Sequence, residues 1–290
     1  MNQLYVLTAV HNDLTNLKQL LTCLAKQKYQ NFQIVVVDDG STDGTGNYLK
    51  QHYPQVKVIT GSGNLWWTGS LNIGIQYILQ HASGNDYILT INNDCQIDES
   101  YLAQISKYAK EKMVVGSKII DQKTGKLWDL GVMIDWSRGK IAGRTKSSDP
   151  LDAITTKGTL YPVSMFHHIG LLSHHLPHYI SDYELTIRAK RLGYTLVVRD
   201  DCVVTNDVRN TGIGDSLSET ISLKQSLELM FDRRSKLNII DQFWFITLAC
   251  PARFRTINYL RLILKTAYLL TLPFPGVHKL LKRIKAQYNH

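Results

Sequence analysis

The sequence predicts an α/β protein built on a parallel, doubly wound sheet and followed by a helical C-terminal extension. Three observations predict it. The run Gln33-Ile34-Val35-Val36-Val37 ends in Asp38-Asp39-Gly40, as a buried parallel strand does when its carboxyl end opens into a polar loop. Strand-like and helix-like segments alternate with short connections from Leu4 to Ile91, the mark of right-handed crossovers. From Ser216 onward the apolar residues, among them Leu223, Leu227, Met230 and Phe231, fall at helical spacing.

Leu4 to Val10 reads as a first strand that stops at His11-Asn12-Asp13, and Leu14, Leu17, Leu20, Leu21 and Leu24 mark the helix after it. No leader peptide is expected, because this first apolar run has only strand length. The organising strand follows, with Gly40 and Ser41-Thr42-Asp43 supplying turn and capping chemistry for a helix through Tyr48-Leu49. A short strand at Val56 to Ile59 leads into Gly61-Ser62-Gly63-Asn64-Leu65-Trp66-Trp67 and a helix through Ile78-Leu79. In that loop glycines permit close backbone approach, and the tryptophans either wall a sugar or base or pack beneath the loop. Asn72 and Gly74 are expected in the first helical turn, where free N–H groups favour an anion. The loop is neither G-x-G-x-x-G nor a Walker P-loop, which weighs against those cofactor classes.

Tyr87 to Ile91 is another buried strand, ending in Asn92-Asn93-Asp94. A carboxylate flanked by amides at a strand end suits a hard divalent cation held by few protein ligands plus substrate phosphates. A helix over Ser100 to Ala109 and a strand over Val114 to Ile120 precede a polar excursion from Asp121 to Lys140, which reads as either an acceptor wall or a hairpin. Gly158 to Ser164 leads to a helix ending at Gly170. The histidines at 167, 168, 174, 175 and 178 match no zinc spacing. Asp182 heads a segment anchored by Leu185, Ile187 and Leu192; it is either a helix cap or a general base. A strand at Thr195 to Val198 comes next, followed by the segment Asp201 to Asp207 and by Arg209 to Asp215, a glycine-rich candidate lid.

Asp38-Asp39-Gly40-Ser41, the Asn64…Gly69-x-x-Asn72-x-Gly74 loop, Asn92-Asn93-Asp94 and Ser181-Asp182-Tyr183-Glu184-Leu185…Arg188…Gly193-Tyr194 stand in the order seen in family 2 glycosyltransferases, which the chain resembles. The resemblance implies a GT-A fold, a Rossmann-like mixed sheet, over residues 1–215. Residues 1–95 would bind the nucleotide sugar and 96–215 the acceptor, with 216–290 a basic helical extension. It implies an inverting transferase that moves a sugar from a nucleotide-diphosphate sugar (UDP or dTDP) to a glycan or lipid-linked glycan acceptor, aided by Mg2+ or Mn2+. Carried over residue by residue, Asp182 would be the catalytic base. Ala9, His11, Asp39, Asn64, Trp67, Asn72 and Asn93 would meet the nucleotide sugar; Asp94, helped by Asn93, and Asp207 would hold the metal. Trp66, Tyr183, Glu184 and Arg188 would face the donor or acceptor sugar. The chain departs from the family in having Asn92 where D-x-D has its first Asp, Ser181 for the usual Glu, and Asn206-Asp207 for a common His. The Asn-Asn-Asp form is similar to the bacterial rhamnosyltransferase-like branch, which implies a place in surface polysaccharide synthesis.

At 290 residues and 44% hydrophobic composition the chain can bury a sizeable core. Its four cysteines are widely spaced, so neither a zinc ribbon nor a disulfide framework is indicated, and a reducing cytoplasm is expected. Of the net charge of +9, eight positive side chains lie between Ala252 and His290 with no acidic residue among them. Such a tail suggests an anionic partner, and Tyr259 to Pro273 is apolar yet interrupted by Arg261 and Lys265, suited to lying at a membrane's inner face rather than spanning it. A homodimer interface and packing on the catalytic domain remain alternatives for this segment. Nucleic acid binding lacks any module motif, and a sugar nucleotidyltransferase lacks a triphosphate loop after the first strand.

Overall fold

The computed structural model describes residues 2–207 and 222–274, and they fall into two compact units. The first unit holds β1 (Leu4–Val10), α1 (Leu14–Ala25), β2 (Phe32–Asp38), α2 (Thr45–His52), β3 (Lys57–Thr60), α3 (Trp66–His81), β4 (Tyr87–Thr90), β5 (Cys95–Gln96), α4 (Tyr101–Ser106), β6 (Met113–Asp121) and β7 (Leu127–Asp129). After the hairpin β8 (Val132–Asp135) and β9 (Lys140–Gly143) come β10 (Thr159–Pro162), α5 (Val163–Ile169), α6 (Ser181–Arg191) and β11 (Thr195–Asn206). The polar excursion is therefore strand and hairpin. The strand expected at Thr195 to Val198 runs on to Asn206, irregular between Arg199 and Val203 where its register against β6 shifts.

Eight strands run in the order β3-β2-β1-β4-β10-β6-β11-β5, with β7 added on β6. β3, β2, β1 and β4 are mutually parallel, while β10 is antiparallel to β4 and β6. The carboxyl ends of β2, β1 and β4 thus share one edge, the ligand edge of open α/β sheets. Alternation along β1 feeds both faces. Leu4, Val6 and Val10 join Leu17, Leu20, Leu21 and Leu24 of α1, whereas Tyr5, Leu7 and Ala9 join Leu71, Ile75 and Ile78 of α3. Each of those fully buried α3 side chains contributes about 1.5–3 kcal/mol.

Gly74 lies against this sheet, where a Cβ would come within 2.4 Å of Leu7 Cδ1. Because α3 starts at Trp66, Asn72 and Gly74 are interior residues rather than first-turn anion donors, which corrects the expectation above. The glycine serves close helix–sheet packing.

The second unit comprises 135–140, 178–180 and, among described residues, those from 222 onward, with α7 (Leu223–Phe231), α8 (Ile239–Ala249) and α9 (Ala252–Thr271). Ser222 and Gln225 form a capping box on α7. Met230, Leu269 and Leu272 form its apolar centre, and the Trp136 ring lies 5.6 Å from that of Phe245. The expected boundary at 215/216, the candidate lid Arg209–Asp215 and the basic residues beyond Phe274 lie outside the described residues.

α9 inverts the usual amphipathic logic. Arg261 donates to the Ser137 carbonyl at 2.6 Å and Lys265 to Gln242 Oε1 at 3.0 Å, while Leu260, Ile263 and Leu264 are exposed. The two cations expected to face an anionic surface are engaged within the unit.

Asp241 on α8 is buried, with one carboxylate oxygen lacking a hydrogen-bond partner among the described residues, and burial pushes its pKa from 3.8 up to about 6. A folded-state pKa above the unfolded one means the ionised form opposes folding, so stability is lost as pH rises through this interval. Asp241→Asn is expected to raise Tm at pH 7.5 by a few degrees and to leave it nearly unchanged at pH 4, as read by calorimetric melting.

Candidate functional site

The site grows from the loops at the shared strand edge. Asp39, directly after β2, is buried and accepts three backbone N–H groups: Gly63 at 2.7 Å on Oδ1, Leu65 at 2.8 Å and Trp66 at 3.2 Å on Oδ2. A carboxylate offers about four lone-pair sites, so capacity for a further donor remains on Oδ1. Its carbonyl accepts from His11 Nδ1 at 2.6 Å, which ties the end of β1 to the end of β2. Asp43 accepts from the Leu14 N–H at 2.9 Å and from the Thr45 hydroxyl at 2.6 Å, so one carboxylate serves the starts of α1 and α2. Trp66 holds φ at 59°, a left-handed backbone in which the indole N–H reaches Asn64 Oδ1 at 2.8 Å. The Ala9 methyl is in the core, leaving its backbone as the part nearest the edge.

The Asn92-Asn93-Asp94 turn is fastened to the first loop by Asn93, which donates to Asp13 Oδ2 at 2.7 Å. Asn92 Oδ1 is a buried acceptor with no hydrogen-bond partner among the described residues. Asp94 has a third of its side chain exposed; its Oδ2 faces the Lys157 ammonium at 3.9 Å, and its carbonyl accepts from Asn206 Nδ2 at 3.0 Å. Asp207, the other expected metal ligand, pairs with Lys123 at 3.1 Å. No three of His, Cys, Asp and Glu gather as a metal site among the described residues. This donor set fits a hard divalent cation held by few protein ligands, for which Asp94 would be the carboxylate.

Asp182 opens α6 and accepts from the backbone N–H of Tyr183 at 2.8 Å and from that of Thr156. Burial raises its pKa to about 6 against those hydrogen bonds, and the negative charge of Asp129 on β7 adds to the rise. Asp129 itself is raised by burial. Ser181, one residue earlier, accepts from the Thr68 hydroxyl at 2.8 Å, fixing α6 to the start of α3.

The segment Thr156-Lys157 joins these parts. The Thr156 hydroxyl accepts from the Trp67 indole at 3.2 Å, its carbonyl accepts from the Thr90 hydroxyl at 2.9 Å, and its N–H reaches Asp182. Lys157 meets Asp94 and donates to Asn206 Oδ1 at 3.0 Å. Asp39 is linked to the same segment indirectly, through the Trp66 N–H that it accepts and the Trp67 indole that reaches Thr156.

Other expected contacts are engaged internally. The Asn72 amide clasps the Leu172 backbone, donating at 2.9 Å and accepting at 3.0 Å. Glu184 is buried and holds Arg188 in a fork at 2.8 and 2.9 Å, one helical turn apart, while Arg188 also donates to the Ile169 and Leu171 carbonyls. Their charges are paired with one another, and Arg188 anchors α6 to the end of α5 and the segment after it. The Tyr183 phenol has its pKa raised by burial and by Asp129 and Asp182, which keeps it protonated. Sequence reading passed over Asp129 and Lys157. The available signal for Lys157 was a cation beside Gly158, whose φ of +73° and crowded surroundings mark a tight, fixed turn.

A mixed sheet with this ligand edge and helical layers is the GT-A architecture. Residues 5–170 match Glycosyl transferase family 2, and the chain belongs to that family. Among curated relatives, the putative glycosyltransferase EpsE of Bacillus subtilis is 33% identical over 53% of this chain and 51% of its own length. An uncharacterized glycosyltransferase of Haemophilus influenzae is 27% identical over 42% of each. The chain thus spans about half or less of these relatives. In solved structures, S. aureus TarS 1-349 in complex with UDP-GlcNAc aligns with a TM-score of 0.56 at 15% identity, covering 92% of this chain and 90% of that one. The mannosyltransferase PcManGT from Pyrobaculum calidifontis, in complex with GDP-Man and Mn2+, gives 0.56 at 14% identity, covering 93% and 72%. These likenesses establish the fold.

Proposed function

We propose that the chain is an inverting glycosyltransferase that moves a sugar from a UDP- or dTDP-linked donor to a hydroxyl of a glycan or lipid-linked glycan. The observation that supports this reading is that Asp94 meets Lys157 and Asp182 meets Thr156, while Asp39 holds the loop whose Trp67 reaches the same Thr156. Asp39 and His11 receive the base and ribose, with Asn64 and Trp67 beside them and Trp66 toward the sugar. Asp94 and Asn93 face the diphosphate, where Mg2+ or Mn2+, when bound, neutralises charge on the leaving group. Asp182 accepts the acceptor hydroxyl's proton as that oxygen bonds to the anomeric carbon; the bond from that carbon to the diphosphate oxygen breaks on the opposite face, and the nucleoside diphosphate leaves with the electron pair. dTDP-rhamnose is the first donor to test, on the Asn-Asn-Asp form of the turn. Product analysis tests the reaction: release of nucleoside diphosphate is expected, and release of pyrophosphate contradicts it in favour of nucleotidyl transfer.

A base with a pKa of about 6 must lose its proton to work, so kcat/KM is expected to fall about tenfold per pH unit below that value and to level above it. Asp129→Asn removes a negative charge that raises the Asp182 pKa, and the acid limb of the profile is expected to move to lower pH. An unmoved limb contradicts the coupling.

We also propose contact with the cytoplasmic face of an anionic membrane through the exposed apolar side of α9, where Leu260, Ile263 and Leu264 lie with Arg253 nearby. No helix of the described residues is long and apolar enough to cross a membrane. Changing the three apolar residues to serine is expected to reduce sedimentation with anionic liposomes; unchanged sedimentation, or conversion of a dimer to a monomer without lipid, contradicts the membrane contact.

A further inference from the structure

Lys157 is a costly residue where it stands. Its side chain is only 16% exposed, and its turn is fixed on all sides: Thr156 takes hydrogen bonds from Trp67 and Thr90, and the Gly158 carbonyl accepts from Ser117 at 2.7 Å and Tyr101 at 3.3 Å. An ammonium has three N–H donors. Among the described residues, Asn206 Oδ1 takes one at 3.0 Å, and the Asp94 carboxylate at 3.9 Å lies beyond hydrogen-bond reach. A largely buried cation with one neutral acceptor and one long ion pair is unfavourable until an anion supplies the missing acceptors.

Its position says which anion. On one side stands Asp94, at the turn read as facing the diphosphate; on the other, the adjoining Thr156 N–H touches Asp182, the base. The charge of Lys157 also lowers the pKa of Asp129, which in turn acts on Asp182. The backbone that carries Lys157 thus joins the phosphate turn to the base. A compact ammonium on a flexible stem suits phosphate oxygens whose positions change during departure.

Resting on the reading of the cleft as a sugar-nucleotide site, we propose that Lys157 binds the donor's diphosphate and stabilises it as the leaving group, a protein-borne positive charge that acts whether or not a divalent cation is present. The bland alternative is a structural counter-ion for Asp94. Isothermal titration of the full chain in EDTA separates them, using UDP, dTDP and GDP against uridine, thymidine and guanosine. Lys157→Met is expected to weaken the nucleoside diphosphate that the wild type prefers by roughly ten- to a hundredfold while leaving its nucleoside unchanged. Lys157→Gln, which keeps a donor for Asn206, is expected to show the same loss, and Lys157→Arg to retain most of the affinity. The unchanged nucleoside affinity is the control for folding. Wild-type diphosphate affinity in both neutral variants overturns the role of Lys157 and leaves the cleft assignment standing. A wild-type chain that binds none of these ligands overturns both.

Discussion

Asp182→Asn lowers kcat by about a thousandfold and leaves nucleoside diphosphate affinity within a factor of two, the expected result if this carboxylate takes the acceptor proton. Asparagine fits the same space, and its carbonyl oxygen can keep the hydrogen bond from the Tyr183 N–H. What it lacks is basicity. Burial has raised the Asp182 pKa to about 6, near enough to neutrality that the ionised form is both present and able to take a proton. A cap residue with no chemistry gives another outcome, a lowered Tm with turnover intact. Steady-state rates beside a melting curve therefore decide between the two readings that the sequence left open.

The second large effect belongs to Asp39. Its carboxylate holds the amides of Gly63, Leu65 and Trp66, so Asp39→Ala strands several donors around an empty space. Each orphaned buried amide costs about 1–3 kcal/mol, and a total loss of about 3 kcal/mol or more is expected. The loop carrying Asn64 and the tryptophans then loses its fixed geometry, and nucleotide affinity is expected to fall more than about tenfold. Asp39→Asn turns an NH2 group toward backbone donors and is expected to cost both stability and affinity. A normal Tm with weakened binding would show Asp39 serving the ligand alone; a normal affinity with lowered Tm would show it serving the loop alone.

Much of this arrangement was legible in the sequence because strand ends announce themselves. The run into Asp38-Asp39 and the run into Asn92-Asn93-Asp94 each combine a fully buried strand with an abrupt polar turn, and both parallel strands end on the expected edge. Asp182 was legible as a helix start. What escaped was whatever depends on a partner distant in the chain. Nothing local to Asn72 shows that Leu172 will engage its amide a hundred residues away. Glu184 and Arg188 looked like ligand contacts, yet their spacing of four on a helix also specifies an ion pair, and burial of Glu184 selected the pair. Gly74 was misplaced because α3 begins earlier than its tryptophans suggested, on a left-handed Trp66 that no propensity scale favours. Lys157 looked like any surface cation before a turn, and only tertiary structure sets it between Asp94 and Asn206.

The most direct test of the shared cleft is a crystal structure of the full chain with a non-hydrolysable sugar nucleotide. The base is expected against Asp39 and His11, the diphosphate between Asp94 and Lys157, and the anomeric carbon turned toward Asp182. A nucleotide bound away from these three carboxylates, or one whose sugar points away from Asp182, would contradict the account.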